Sequence, residues 1–254
     1  MSDWIRTEEP SPGVRLLRME APRGNALSTE TMKAMARAFY DIDKSDARAA
    51  VLVGKGRVFG AGVDLVFAHG LGRTEVADFV DAFEALFLQL FSLRVPIVAA
   101  LNGVALAGGA VLASACDWRI ASAEGPFEFG FIEPELGISL PSAALEIAKT
   151  AVPAEYWTEA IILGKRYDLA QAQQRRIVHE VADDVVAAAC ARAAAFGKNG
   201  VHATAKLKSD LRHDPLTRAR ARAIESRRIF LEEWFSEEGV SRRAAVVERL
   251  KTKA

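Results

Sequence analysis

The chain has 254 residues, half of them apolar and 26% charged, enough for one sizeable buried core, which excludes a disordered tail or a disulfide-stapled miniprotein. Its 33 basic residues balance 33 acidic ones, so no net field draws it to nucleic acid or to an anionic membrane. The two cysteines, Cys116 and Cys190, lack both zinc-ligand spacing and the density of a secreted scaffold, so a reduced, cytoplasmic setting is expected.

The first ten residues carry Asp3, Glu8 and Glu9 and no apolar stretch, and Thr252-Lys253-Ala254 is not a peroxisomal address, so neither export nor an anchor is expected. Short β-rich runs at Val14 to Met19, Ala50 to Val53, Ile97 to Leu101 and Trp118 to Ala121 alternate with amphipathic segments, which argues for α/β layering. After the first run, Ser28 can cap a helix whose Met32, Met35, Phe39 and Ile42 recur at helical steps, with Glu30 in its first turn. Glu75 to Leu90 repeats this device with a broad apolar face of core residues. Val95 to Ala115 is apolar but broken by Pro96, Asn102 and glycines, so it is not a membrane span. From Ser142 the pattern turns helical: Ala143 to Thr150, Glu155 to Leu163, Leu169 to Arg175, Asp184 to Phe196, Pro215 to Phe235 and Ser241 to Lys251. Ile177 to Val181 alone still reads as a strand there. The basic run from Arg218 to Arg228 is interleaved with glutamates and reads as a salted helix surface. The division expected is a core over 1–195 and a helical region over 196–254.

Several chemistries find no support. Gly54-Lys55-Gly56 lacks the third glycine of a dinucleotide fingerprint and the Lys-Ser/Thr pair of a P-loop. No Gly-x-Ser-x-Gly elbow occurs, and His69, His179, His202 and His213 are scattered without ligand spacing, so no metal site is expected. Two glycine-rich turns remain, Phe59 to Leu65 and Asn102 to Ala110. Each follows a β-run and precedes a helical stretch. Amides freed at such turns have no internal acceptor, so two that converge can bind an oxyanion; glycines there also permit plain tight packing.

The strings Gly54-Lys55-Gly56-Arg57-Val58-Phe59-Gly60-Ala61-Gly62-Val63-Asp64-Leu65, Pro96 to Gly103, Ala107-Gly108-Gly109 and Cys116-Asp117-Trp118-Arg119-Ile120-Ala121 resemble the enoyl-CoA hydratase/isomerase (crotonase) superfamily. The likeness runs from Arg23-Gly24-Asn25-Ala26-Leu27 to the helical tail. It implies a crotonase-like α/β spiral of ββα units with a helical C-terminal trimerisation region, and a homotrimer or dimer of trimers. It also implies an acyl-CoA thioester as the bound partner, with no cofactor beyond the coenzyme A of the substrate. By position, Val63 N–H and Gly108 N–H would hold the thioester oxygen. The nucleotide and pantetheine arm would lie along the loops containing Arg23, Ala26, Ala61, Asp64 and Leu65, with Arg23 near the phosphates. Asp64 itself is expected to fix the turn rather than touch reacting atoms.

The family's hydratases use two glutamates, and this chain departs from that pattern. Where the first would stand it has Val111, which can neither hold water nor move a proton; Glu133, after Phe129-Gly130-Phe131-Ile132, stands at the second. A single base suits a 1,3-proton shift, Δ3,Δ2-enoyl-CoA isomerisation, with Val111 keeping Glu133 dry and its pKa raised. Glu135 is a competing carboxylate, expected at the surface because Pro134 interrupts the strand. Phe67, Leu136, Ile138 and Leu140 are candidates to shape an acyl-tail pocket. Hydration by another route, thioester hydrolysis, a lyase step and non-catalytic CoA-ester binding stay open, since the fold does not fix the reaction.

Overall fold

The computed structural model describes residues 4–251; Asp3 and the terminal Thr252-Lys253-Ala254 lie outside the described residues. The chain opens with an antiparallel hairpin, β1 (Ile5–Ser11) and β2 (Val14–Met19), followed by a single turn α1 (Pro22–Asn25) and helix α2 (Thr29–Lys44). Ser28 caps α2 as its sequence predicts: its hydroxyl accepts from Thr31 N–H while the Thr31 hydroxyl accepts from Ser28 N–H. Three further pairs of strands follow, β3 (Ala49–Gly54) with β4 (Val58–Gly60), β5 (Ile97–Leu101) with β6 (Val104–Leu106), and β7 (Trp118–Ser122) with β8 (Phe129–Gly130). After the first pair come α3 (Leu65–Ala68) and α4 (Arg73–Phe91), and after the second comes α5 (Gly108–Ala115).

Each of these three pairs sends one strand to each of two sheets. The larger sheet has the order β1-β2-β3-β5-β7 and is closed by β9 (Glu180–Ala182); the smaller has the order β4-β6-β8. All pairings except β1 with β2 are parallel. This is the α/β spiral of ββα repeats that the family resemblance implies, and the alternation of β-runs and amphipathic segments argues for the same α/β layering. Parallel strands covered on both faces read as continuous apolar runs, and β5 is an example. Its Ile97, Ala99 and Leu101 join the main core, while Val98 and Ala100 face a second cluster formed with Val185, Ala189 and Ala193 of α8 (Val185–Phe196).

The remaining helices are α6 (Ser142–Ala151), α7 (Leu169–Gln174), α9 (Val201–Trp234) and α10 (Glu237–Lys251). Four expectations are corrected. Glu155 to Leu163 is not an α-helix but a 3₁₀ turn over Ala154–Tyr156 and a π turn over Thr158–Ile162. The last strand begins at Glu180 because Ile177 and Val178 donate their amides to Ala172 O and complete the turn after α7. The last helix begins at Glu237, before Ser241. The long helix begins at Val201 rather than at Pro215, which it carries internally. What anchors its first half is charged: Lys208 donates to Asp117 and Val95 O at 2.6 Å each, and Arg212 donates to Asp117 at 2.6 Å and Phe91 O at 2.5 Å. That buried face has no apolar stripe to be read from sequence. Farther along, Arg218, Arg227 and Arg228 pair with Glu146, Asp81 and Glu232, so the basic run is largely a salted surface. Among the described residues, no helix is long and apolar enough to cross a membrane.

Candidate functional site

The two glycine-rich turns meet. A methyl group placed on Gly109 would lie 1.9 Å from Gly60 O, and one on Gly62, whose φ is +87°, would lie 3.2 Å from Gly108 N. Only glycine lets these backbones approach so closely. Val63 forms a parallel bridge with Leu27, in which Leu27 N–H donates to Gly62 O at 2.7 Å and Asp64 N–H to Leu27 O at 2.9 Å. Because successive peptide groups of an extended segment face opposite edges, this bridge turns Val63 N–H away from Leu27. Gly108 opens α5, where first-turn amides have no intrahelical acceptor. The structure thus brings Val63 and Gly108 to neighbouring places with their amides available.

Ala107, just before Gly108, has φ 48° and ψ −126°, a conformation that an alanine holds at a cost of about 1–3 kcal/mol. Its N–H donates to Gly130 O at 2.8 Å, which ties the start of α5 to the end of β8. Three residues past Gly130, Glu133 begins a 3₁₀ turn, Glu133–Leu136, so Glu133, Val63 and Gly108 share one end of the small sheet. Glu133 is 5% exposed and its Oε2 has no hydrogen-bond partner. Burial pushes its carboxyl up to about 7, and no charged group contributes to the shift. Val111, fully buried, belongs to the same core cluster as Phe129 and Phe131, which precede the base.

Glu135 lies two residues on but points to solvent and is held by Arg166 at 2.6 Å, so the surface role expected for it is what the structure has. Asp64 also takes its expected structural role. It is 4% exposed, caps α3 by accepting from Phe67 N–H at 3.1 Å, and accepts from Arg23 Nε at 2.9 Å. Arg23 is therefore tied to this turn yet still over half exposed, and next to it exposed Ala61 donates its N–H to Gly24 O at 2.9 Å. Ala26 is buried on the facing loop, while Leu65, Leu136 and Ile138 share a third apolar cluster with Phe230 and Trp234 of α9. Among the described residues, no group of three His, Cys, Asp or Glu could hold a metal ion. Cys116 is buried and its thiol is pushed up to about 12, and His179 Nδ1 accepts from Arg119 N–H, so both are structural.

The sequence did not signal the contribution of the C-terminal helices. A groove of about 640 Å³ adjoins the Glu133 turn, lined by Pro134, Ile138, Ser139, Leu140 and, from α9, Glu233; Val63, Gly108 and Glu133 do not line it. Ser139 and Glu233 are far apart in the chain and polar, so no periodicity links them.

The fold and this site define an α/β protein with a pair of neighbouring backbone amides and a buried glutamate carboxyl that no charged group engages. Residues 9–253 match the model of the enoyl-CoA hydratase/isomerase family, and the chain belongs to that family. It is similar to human mitochondrial delta3-delta2-enoyl-CoA isomerase in structure, with a TM-score of 0.91 and 25% identity over 98% of this chain and 99% of that one. In sequence it is 27% identical to the mouse mitochondrial enoyl-CoA delta isomerase 1 over 70% of this chain, and 32% identical to a carnitinyl-CoA dehydratase of Salmonella paratyphi A over 71%. The match spans 62% of the mouse isomerase's length and 69% of the dehydratase's.

Proposed function

We propose that the protein isomerises a 3-enoyl-CoA to the 2-trans-enoyl-CoA with Glu133 as its only proton carrier. The observation that carries this reading is the buried Glu133 carboxyl, with one oxygen free of hydrogen bonds and its pKa near 7, in a chain that has Val111 where a second glutamate would stand. Ionised Glu133 takes a proton from C2 of the thioester. The C2–H electron pair forms a C1=C2 bond and the carbonyl π pair moves onto the thioester oxygen, giving a dienolate that keeps its C3=C4 bond. Val63 N–H and Gly108 N–H stabilise that oxygen, each worth about 3–4 kcal/mol in the transition state. Protonated Glu133 then returns the proton to C4: the oxygen re-forms the carbonyl, the C1=C2 pair moves to C2=C3 and the C3=C4 pair takes the proton. A carboxyl near pH 7 suits both steps, because it gives up and recovers a proton at little cost. No cofactor beyond the CoA of the substrate enters the reaction.

Under this reading Arg23, Ala26, Ala61 and Leu65 contact the CoA arm, and Leu136 borders the acyl chain. The protein works as a homotrimer or dimer of trimers; Leu211 and Ile224, 81% and 89% exposed on α9, are side chains that assembly would cover. The likeness to the dehydratase favours a second reading, reversible water addition to an enoyl-CoA. Turnover in deuterated, ¹⁸O-labelled water separates the two: isomerisation exchanges substrate hydrogens and incorporates no solvent oxygen. Glu133→Gln should abolish the exchange, and full turnover by that variant would overturn the proposal.

A further inference from the structure

We propose that the end of α9 and the start of α10 form a clamp that positions the Glu133 turn, with Glu233 of α9 as its positioning residue. The inference rests on the isomerase reading for its kinetic consequence and on contacts for its geometry. Glu233 Oε2 accepts from both Ser139 N–H and Ser139 Oγ–H at 2.7 Å each. One residue earlier, Ile138 N–H donates to the backbone carbonyl of Glu133 at 3.2 Å, so the segment Glu233 grips is the one that closes the base-bearing turn. A second contact stands beside the first: a methyl on Gly137 would lie 3.0 Å from Gly239 Cα, so α10 meets the same turn backbone to backbone.

The hairpin delivering these contacts is itself pinned. Arg243 of α10 is 4% exposed, stacks its guanidinium 3.9 Å from the Trp234 ring centroid and donates to Trp234 O, closing the α9–α10 connection across a buried contact. Among the charged groups of the turn and of α10, Glu135 pairs with Arg166, Glu238 with Arg242 and Arg243 with Trp234 O, and no charged group contributes to the shift of the Glu133 carboxyl. Burial is thus the main influence on the Glu133 carboxyl, opposed by a hydrogen bond from its own backbone N–H, and burial depends on the turn staying seated.

A clamp differs from a structural brace in what its removal changes. Glu233→Ala should lower kcat about tenfold or more with a much smaller change in KM, as displacement of a reacting group does. It should also move the titration of the Glu133 carboxyl, read by ¹³C NMR of glutamate-labelled protein with Glu133→Gln for assignment, from near 7 toward 4.5. Glu233→Gln should restore both, because an amide oxygen can accept the same two hydrogen bonds. Ser139→Ala, which keeps the N–H donor and loses the hydroxyl, should fall between, and it decides the matter if Glu233→Ala does not fold. Wild-type kcat and an unmoved Glu133 titration in Glu233→Ala would overturn the clamp, as would equal losses in the Ala and Gln variants. The carboxyl titration needs no turnover, so failure of the clamp is separable from failure of the isomerase reading.

Discussion

Replacing Glu133 by Gln should change how stability depends on pH, by an amount the structure sets. Burial holds the folded carboxyl near 7, against 4.5 in a solvated chain. Below 4.5 it is protonated whether folded or unfolded and costs nothing. Between those values the unfolded chain ionises while the folded one keeps its proton, so stability falls as pH rises. Above about 7 the loss is complete and comes to about 3 kcal/mol. The Gln variant leaves a buried amide short of partners, a cost of about 1–3 kcal/mol that does not vary with pH. The stability of Glu133→Gln relative to the parent should therefore improve by about 3 kcal/mol between about pH 4 and pH 8. Urea unfolding of both proteins across that range measures the difference directly. Parallel stability curves would refute the reasoning, since they would mean that the carboxyl is solvated or paired in the fold.

Kinetics should report the same group: kcat/KM should fall on the acid side with a midpoint near 7, as the base becomes protonated, whereas a midpoint near 4.5 would place it in water. Gly109→Ala puts a methyl 1.9 Å from Gly60 O and must drive the two oxyanion turns apart, destabilising by about 1–3 kcal/mol or more and removing activity beyond what the lost fold explains. Thermal unfolding and turnover of this variant, measured together, check both parts. Asp117→Ala strands the buried cations Lys208 and Arg212 that seat the first half of α9, and denaturant unfolding should register a loss of about 3–5 kcal/mol.

What could be read from the chain follows the periodicity of its buried faces. Ser28 and the stripe from Met32 to Ile42 gave α2 its start and its inward face, and the run Ile97 to Leu101 coincides with β5. The strands of the small sheet are two or three residues long, too short to alternate visibly, so β4, β6 and β8 escape a pattern search although they aim both glycine turns and the base. β1 is a polar edge strand, Ile5–Ser11, with little apolar signal. The first half of α9 was hidden for the opposite reason: its buried positions are Lys208 and Arg212, satisfied by one carboxylate and by backbone carbonyls. At the site, the family resemblance points to Val63, Gly108 and Glu133, which the structure brings to one end of the small sheet, and the cap that Asp64 makes on Phe67 N–H agrees with the turn-fixing role expected of it. The grip of Glu233 on Ser139 was not legible, since it joins two polar residues through tertiary packing alone.

The most direct test of the central claim, one buried base acting beside a two-amide cradle, is a paired assay. Purified protein and its Glu133→Gln variant are given a trans-3-enoyl-CoA and a trans-2-enoyl-CoA of equal length, with double-bond migration and water addition followed separately. The account predicts migration of the 3-enoyl ester, no hydration of the 2-enoyl ester, and loss of migration in the variant. Hydration of the 2-enoyl ester, or migration that survives without Glu133, would contradict it.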